Sequence, residues 1–267
     1  MNQVVAVSRP MRRGPVPRSP TGLRGLVPPL VFLVIVAVAW QLGAGVAQSI
    51  LLPTFTATMV AFFDLVFGGA LWEPLARSNL TMVIGFVVSA VIGVPLGLLM
   101  GRRPFIDRVV APYVALLVVV PAAPLLPIIV MMIGFGLPAG VLVVVLFTLV
   151  YIVVNTRAGI RSVDPRLVEM AVSYGASEAS LWRYVLIPGA LPAIGTGLRI
   201  GLGRAFAGMI LGELLLFSTG IGLLILYYRS TNASDHIFAV VLVLLVEAVL
   251  IGYVMRRFER RLQPPGA

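Results

Sequence analysis

Six long apolar runs decide what this chain can become. They cover roughly Val27–Ala47, Leu80–Met100, Ala111–Ile133, Leu137–Val154, Ala190–Phe217 and Ile237–Met255. A helix needs about twenty apolar residues to cross a hydrocarbon core of about 30 Å, and each run is of that order. The runs are rich in Val, Leu and Ile and lack the alternation of a strand, which favours helices over a barrel. Composition agrees: 60% of the residues are hydrophobic and 11% are charged, where about 25% charged is usual in soluble domains. A soluble globular domain and a disordered chain are both excluded. The chain has no cysteine, so disulfides, thiolate metal sites and cysteine nucleophiles are excluded too. Its single histidine, His236, leaves little for a metal centre or a general base.

The arginines orient the runs. All 20 basic residues are Arg, against 10 acids. That excess alone would suit nucleic acid, but their placement follows the apolar runs instead. Five precede the first run (Arg9, Arg12, Arg13, Arg18, Arg24), and three lie between the second and third (Arg102, Arg103, Arg108). Four lie between the fourth and fifth (Arg157, Arg161, Arg166, Arg183), and four follow the sixth (Arg256, Arg257, Arg260, Arg261). The opposite side holds Arg77 and Arg229 alone, while Arg199 and Arg204 fall in the first half of the fifth run. The positive-inside rule then predicts cytoplasmic N- and C-termini. The first run is longer than the roughly 7–15 apolar residues of a signal peptide, so it is expected to stay as a span. Residues 1–26, rich in Arg and Pro, are expected to form a mobile cytoplasmic tail, and 256–267 a second tail. Between them, 27–255 forms the transmembrane domain. Thr56–Phe67 is long enough for a short interfacial helix.

The loop between the fourth and fifth runs is the long one. Asp164 is a good N-cap and Pro165 suits a first helical position. Leu167, Val168, Ala171 and Val172 recur at helical spacing, and Gly175 supplies a left-handed stop. Ser177 caps a second helix, with Glu178 in its first turn and Leu181, Trp182, Val185 and Leu186 along it. Pro188 is expected to end that helix. The product is an elbow over 156–188 with an apolar face, either a structural hairpin or a docking element for a partner.

This stretch resembles the permease subunits of binding-protein-dependent ABC importers. Their cytoplasmic signature reads Glu-Ala-Ala, three residues, Gly, nine residues, Ile, one residue, Leu-Pro. Here Glu169-Met170-Ala171, Gly175, Val185 and Ile187-Pro188 stand at those positions, with Met170, Val185 and Ile187 as apolar replacements. Further likeness to the sulfonate, taurine and nitrate branch runs through Pro121, Pro124 and Pro127, Gly134-Phe135-Gly136, Asn155-Thr156, Gly159 and Leu191-Pro192-Ala193-Ile194. It continues in Gly197-Leu198-Arg199, Glu213, Gly220-Ile221-Gly222 and Glu259-Arg260-Arg261.

The resemblance implies a type I importer permease in a prokaryotic plasma (inner) membrane. It works with a second permease copy or a similar permease, two cytoplasmic ATPases that hold ATP and Mg, and an external substrate-binding protein. It implies a docking role for Glu169, Ala171, Gly175, Ala176, Ser177 and Pro188. No Gly-x-x-x-x-Gly-Lys loop occurs, and with no lysine none can. The chain is therefore expected to be no enzyme, with no cofactor, metal or catalytic residue of its own.

Several residues keep two readings. Glu213 and Glu247 stand inside apolar runs, where a carboxylate is costly; Glu213 either holds helices together and gates the path or lines it. Arg199 and Arg204 either snorkel to the cytoplasmic face or line a path for anions. Pro121, Pro124 and Pro127 must disturb the third span, and either merely kink it or also line the path. Gly93, Gly97 and Gly101 form a small-xxx-small stripe for close packing, expected within one subunit. The expectation is thus an all-α membrane protein of six spans with an elbow, forming the path for a small solute, with a lean toward a sulfonate, taurine or nitrate. The alternative is a gradient-driven transporter or channel without an ATPase.

Overall fold

The computed structural model describes residues 23–47, 49–216 and 219–262. The expected mobile tail falls largely on residues 1–22, and the end of the second tail on residues 263–267, both outside the described residues. Contacts divide the chain into two bodies, with the boundary after Thr56.

The first body holds α1, Leu23–Ala47. Leu30 through Val36 are exposed, and a helix that is apolar all round suits lipid. After it the chain turns back locally. The Trp40 indole donates to the Pro53 carbonyl at 3.0 Å, and the Thr56 N–H donates to Gln41 Oε1 at 3.0 Å. Trp40 and Phe55 meet edge-on.

The second body begins within α2, Phe55–Gly68, which fits the helix expected at Thr56–Phe67. Ala61 and Leu65 join Leu71, Ile221, Ala239, Val240, Val243 and Leu244 in one apolar cluster. Its centre is a trio of helices, α3, Trp72–Arg102, and α6, Leu137–Arg161, which run parallel, with α9, Ile187–Leu216, antiparallel to them. Small residues bring these helices together. A β-carbon on Gly85, Gly97 or Gly101 would lie 2.5–2.8 Å from side-chain or backbone atoms of Val144, Thr156, Val153 or Ile160 on α6. Gly197, Gly201 and Gly208 on α9 approach Asn155, Ile152 and Phe147 on the same helix as closely. In lipid, where apolar burial gives helices little drive to associate, such backbone approach supplies the packing. The glycine stripe thus packs within the subunit, as its spacing predicts.

The third run breaks at its prolines, as their missing amide donors require. It splits into α4, Pro104–Val119, a short tight turn at Ala123–Leu125, and α5, Leu126–Ile133, with a 95° bend. Pro124 and Pro127 sit in the first turns of the new segments, where no amide donor is missed, so they start helices as well as stopping one. Among the described residues, five helices are long and apolar enough to cross a membrane, or six if the bent pair counts as one span.

One expectation needs correction, that for Pro188. It does not end the elbow's second helix. α8, Glu178–Leu181, passes through a widened turn at Trp182–Leu186 into α9 without a stop. The Ile187 N–H bonds to the Trp182 carbonyl, five residues back. The extra residue in that turn accommodates a proline that lacks an amide donor and clashes in regular helix. Two further helices, α10, Gly220–Ser230, and α11, Ser234–Leu262, complete the body.

Candidate coupling elbow and its supporting charges

The elbow assembles from local chemistry. α7 runs Pro165–Ser173, and Asp164 caps it by accepting from the Arg166 N–H. Gly175 follows at φ +78. The Gly175 N–H bonds to Val172 O at 2.9 Å and the Ala176 N–H to Ala171 O at 3.0 Å. This pair of bonds closes a helix end on a left-handed residue, which favours glycine. Ser177 then accepts from the Ser180 N–H at 3.2 Å and so caps α8.

Two faces of α7 differ. Val168 and Ala171 pack against a cluster built on Ile160, Leu181, Leu186, Ala190 and Ile194. Leu167, Met170 and Tyr174, at i, i+3 and i+7, are 48%, 53% and 87% exposed. That stripe is apolar and uncovered in this chain, and its spacing is that of a helix prepared for a groove. Glu169 is exposed beside it and lines a cleft of about 260 Å³ with Gly101, Arg102, Pro165 and Leu186.

Charges tie the elbow to the bundle. Arg102 and Arg103, at the α3–α4 turn, lie 3.7 and 3.4 Å from the Glu178 carboxylate. One layer in, Arg157 and Arg161 on α6 both donate to Asp107 Oδ2, at 2.8 and 2.6 Å. Asp107 is 8% exposed. The sequence reading passed over it. Its signal is one acid in the first turn of α4 facing two arginines spaced i, i+4 on α6, a pairing that only the fold reveals.

The remaining candidates lie elsewhere. Glu213 is near the far end of α9 from the elbow, where Ser78 Oγ donates to its Oε2 at 2.8 Å. The same serine oxygen accepts from the Ile221 N–H at 2.9 Å, and the Gly222 N–H donates to Glu213 at 3.1 Å. Gly220 and Gly222 leave room for this knot: a β-carbon on either would fall within 2.3–2.5 Å of Ser78 or Glu213 atoms. Glu213 thus binds the start of α10 to the end of α9. Glu247 on α11 accepts from Asn79 Nδ2 at 2.6 Å. Pro121, Pro124 and Pro127 stand at the bend between α4 and α5. Arg199 lines a second cleft of about 260 Å³ with Gly203, Phe206, Ile251 and Arg256. Arg204 lies over the Tyr151 ring, 4.4 Å from its centroid. The elbow residues therefore form one group, while the prolines, Arg199 and Glu213 form no common site with them.

The chain has counterparts among known proteins. Residues 93–264 match the family described as binding-protein-dependent transport system inner membrane component. The chain is 32% identical over 194 residues to the taurine transport system permease protein TauC of Escherichia coli (strain K12), covering 73% of this chain and 70% of that protein. It is 35% identical over 220 residues to the putative aliphatic sulfonates transport permease protein SsuC of the same organism, covering 82% of each. The SsuC protein of Bacillus subtilis (strain 168) is 30% identical over 242 residues, covering 90% of this chain and 86% of that one. A chain of the MetNI methionine ABC transporter, in an inward-facing conformation, superposes with a TM-score of 0.59 over 72% of this chain and 94% of its own, at 23% identity. That likeness shows the fold alone, whereas the sequence match runs from the middle of α3 through the elbow to the end of α11 and makes this chain a member of the binding-protein-dependent ABC importer permeases.

Proposed function

We propose that this chain, as an importer permease, passes a small organic anion of the sulfonate class through the membrane. Two copies, or this chain and a similar permease, form the path. An external binding protein delivers the solute, and ATP with Mg is hydrolysed on two separate ATPases. The names of the most similar relatives, taurine and aliphatic sulfonate permeases, support the solute class. The arginine distribution supports a cytoplasmic elbow and cytoplasmic termini.

The observation that carries the coupling role is the uncovered stripe of Leu167 and Met170 on α7 and Tyr174 just past its end. It enters an apolar groove of the ATPase, with Glu169 at its rim and Arg102 and Arg103 bracing the elbow through Glu178. Ala171, Gly175, Ala176 and Ser177 give the elbow its turn. Pro188 gives its exit into α9 the widened winding. Closure and reopening of the ATPase pair pull on this elbow and switch the path between its two faces.

Co-expression with the ATPase and purification through a tag on this chain test the reading. The wild-type chain is expected to retain the ATPase and to support ATP-dependent taurine uptake into vesicles. Gly175→Trp places a side chain at φ +78, which L-residues resist. It is expected to lower ATPase retention at least tenfold while the chain still inserts. Full retention and uptake in that variant would remove the coupling role of the elbow.

A further inference from the structure

Four charged side chains, Arg199, Arg204, Glu213 and Glu247, lie within the apolar runs after the first, and three have an evident setting. Glu213 and Glu247 are held by Ser78 and Asn79. Arg199 sits in the cleft between α9 and α11 with Arg256. Arg204 is five residues further on, about 140° around the helix, and so faces away from that cleft. It is exposed. Its guanidinium meets the face of Tyr151 on α6 at 4.4 Å, a cation–π contact. No carboxylate among the described residues lies within ion-pair distance of it.

The register fixes its depth. Gly201 on α9 packs on Ile152 and Thr148, and Gly208 on Phe147, so Arg204 stands at the level of Tyr151. Tyr151 is about 15 Å from the elbow end of α6 at Arg161 and about 21 Å from its other end at Leu137. A guanidinium at that depth is costly to leave in hydrocarbon, because lipid tails accept none of its five N–H groups, and its seat on Tyr151 keeps it from extending to the elbow end. The face around it is open. Val154, one turn from Tyr151, is 39% exposed.

The geometry points to Arg204, seated on the Tyr151 ring, as an oxyanion subsite on a water-filled face of α6 and α9. The fork of a guanidinium matches two oxygens of a sulfonate or carboxylate. The aromatic ring holds the fork in place without neutralising it, as a carboxylate would. A solute anion passing this face exchanges water for that fork midway, and a cation is repelled. This deepens the proposed anion specificity and rests on reading the chain as the solute path.

The absence of cysteine makes the site testable without knowing the solute. Val154→Cys places one thiol in the chain beside the pair and leaves both members intact. The full chain, assembled in membrane vesicles with its ATPase, is treated with two methanethiosulfonates of similar size, one sulfonatoethyl and one trimethylammonioethyl. Labelling of this chain is read by mass. Relative to the same two reagents on a free thiol, the anionic reagent is expected to gain about fivefold over the cationic one, the effect of one charge at roughly 9 Å in partly hydrated surroundings. Arg204→Gln is expected to abolish that gain, and Arg204→Lys to keep part of it. A thiol that neither water-borne reagent reaches, or a ratio indifferent to Arg204→Gln, overturns the subsite. ATPase retention, scored on the same preparation, separates the two readings. Retention without charge preference removes the subsite alone, while charge preference without retention removes the importer coupling and leaves the subsite standing.

Discussion

Asp107 shows what a single residue does in this bundle. It collects two arginines from α6 at the elbow end and is itself almost fully covered. Hydrogen bonds to charged groups are worth about 1.5–3 kcal/mol each. Removing the shared acceptor strands Arg157, whose side chain is 28% exposed, more than Arg161, at 50%. Asp107→Ala is therefore expected to lower the melting temperature of the purified chain by several degrees. Arg161→Ala, which leaves the Arg157–Asp107 pair intact, should lower it by less than half as much. Equal losses would argue against a shared clamp. At this scale the sequence was read unevenly. Glu213 and Glu247 stood out because a charge in an apolar run is conspicuous, but their partners Ser78 and Asn79 carry no such mark. Asp107 stood among other charges outside the runs and was invisible until α4 and α6 were placed together.

At the level of helices, spacing told more. The caps at Asp164 and Ser177 and the stop at Gly175 follow from chemistry within a few residues, and all three hold. So does the glycine stripe of α3. A β-carbon on Gly97 would lie 2.7 Å from Thr156 Cβ and 2.8 Å from the Val153 carbonyl. Gly97→Leu must push α3 from α6, at a cost of about 1–3 kcal/mol or more for overpacking. Gly252→Ala, with nothing within 4 Å of the added carbon, should be neutral or stabilise slightly through helix propensity. Thermal unfolding in detergent compares the two, and a Gly97→Leu protein as stable as wild type would remove close packing as the basis of the trio. Proline was the poorer guide. Its missing donor forbids a regular helix but does not say how the chain adapts. Pro188 is absorbed by a widened turn, whereas Pro121, Pro124 and Pro127 divide a span outright.

For the whole molecule, hydropathy gave the number of crossings to within the status of one bent pair, and the arginines gave a direction. A reporter enzyme active only in the cytoplasm, fused after Ala267, is expected to be active. Activity only from a periplasmic reporter at that position would invert the bundle. Sequence periodicity could not show which helices form the central trio, because α1 and α11 carry long apolar windows just as α3, α6 and α9 do. Their small residues mark them only once their register is known.

The unbroken passage from α8 into α9 has a mechanical consequence. From Glu178 to Leu215 the chain is one continuous rod, about 57 Å long at 1.5 Å per residue. The elbow is at one end of it and Glu213 is near the other, with the Gly197–Gly208 contacts to α6 between them. The α9 part of the rod lies along α6 from Ala190, opposite Gly159, to Gly212, opposite Val143. Seated on α6 over that whole length, it has no free arm at either end. A displacement of the α6–α9 pair therefore carries the elbow and the turn held by Glu213 together, in the same direction.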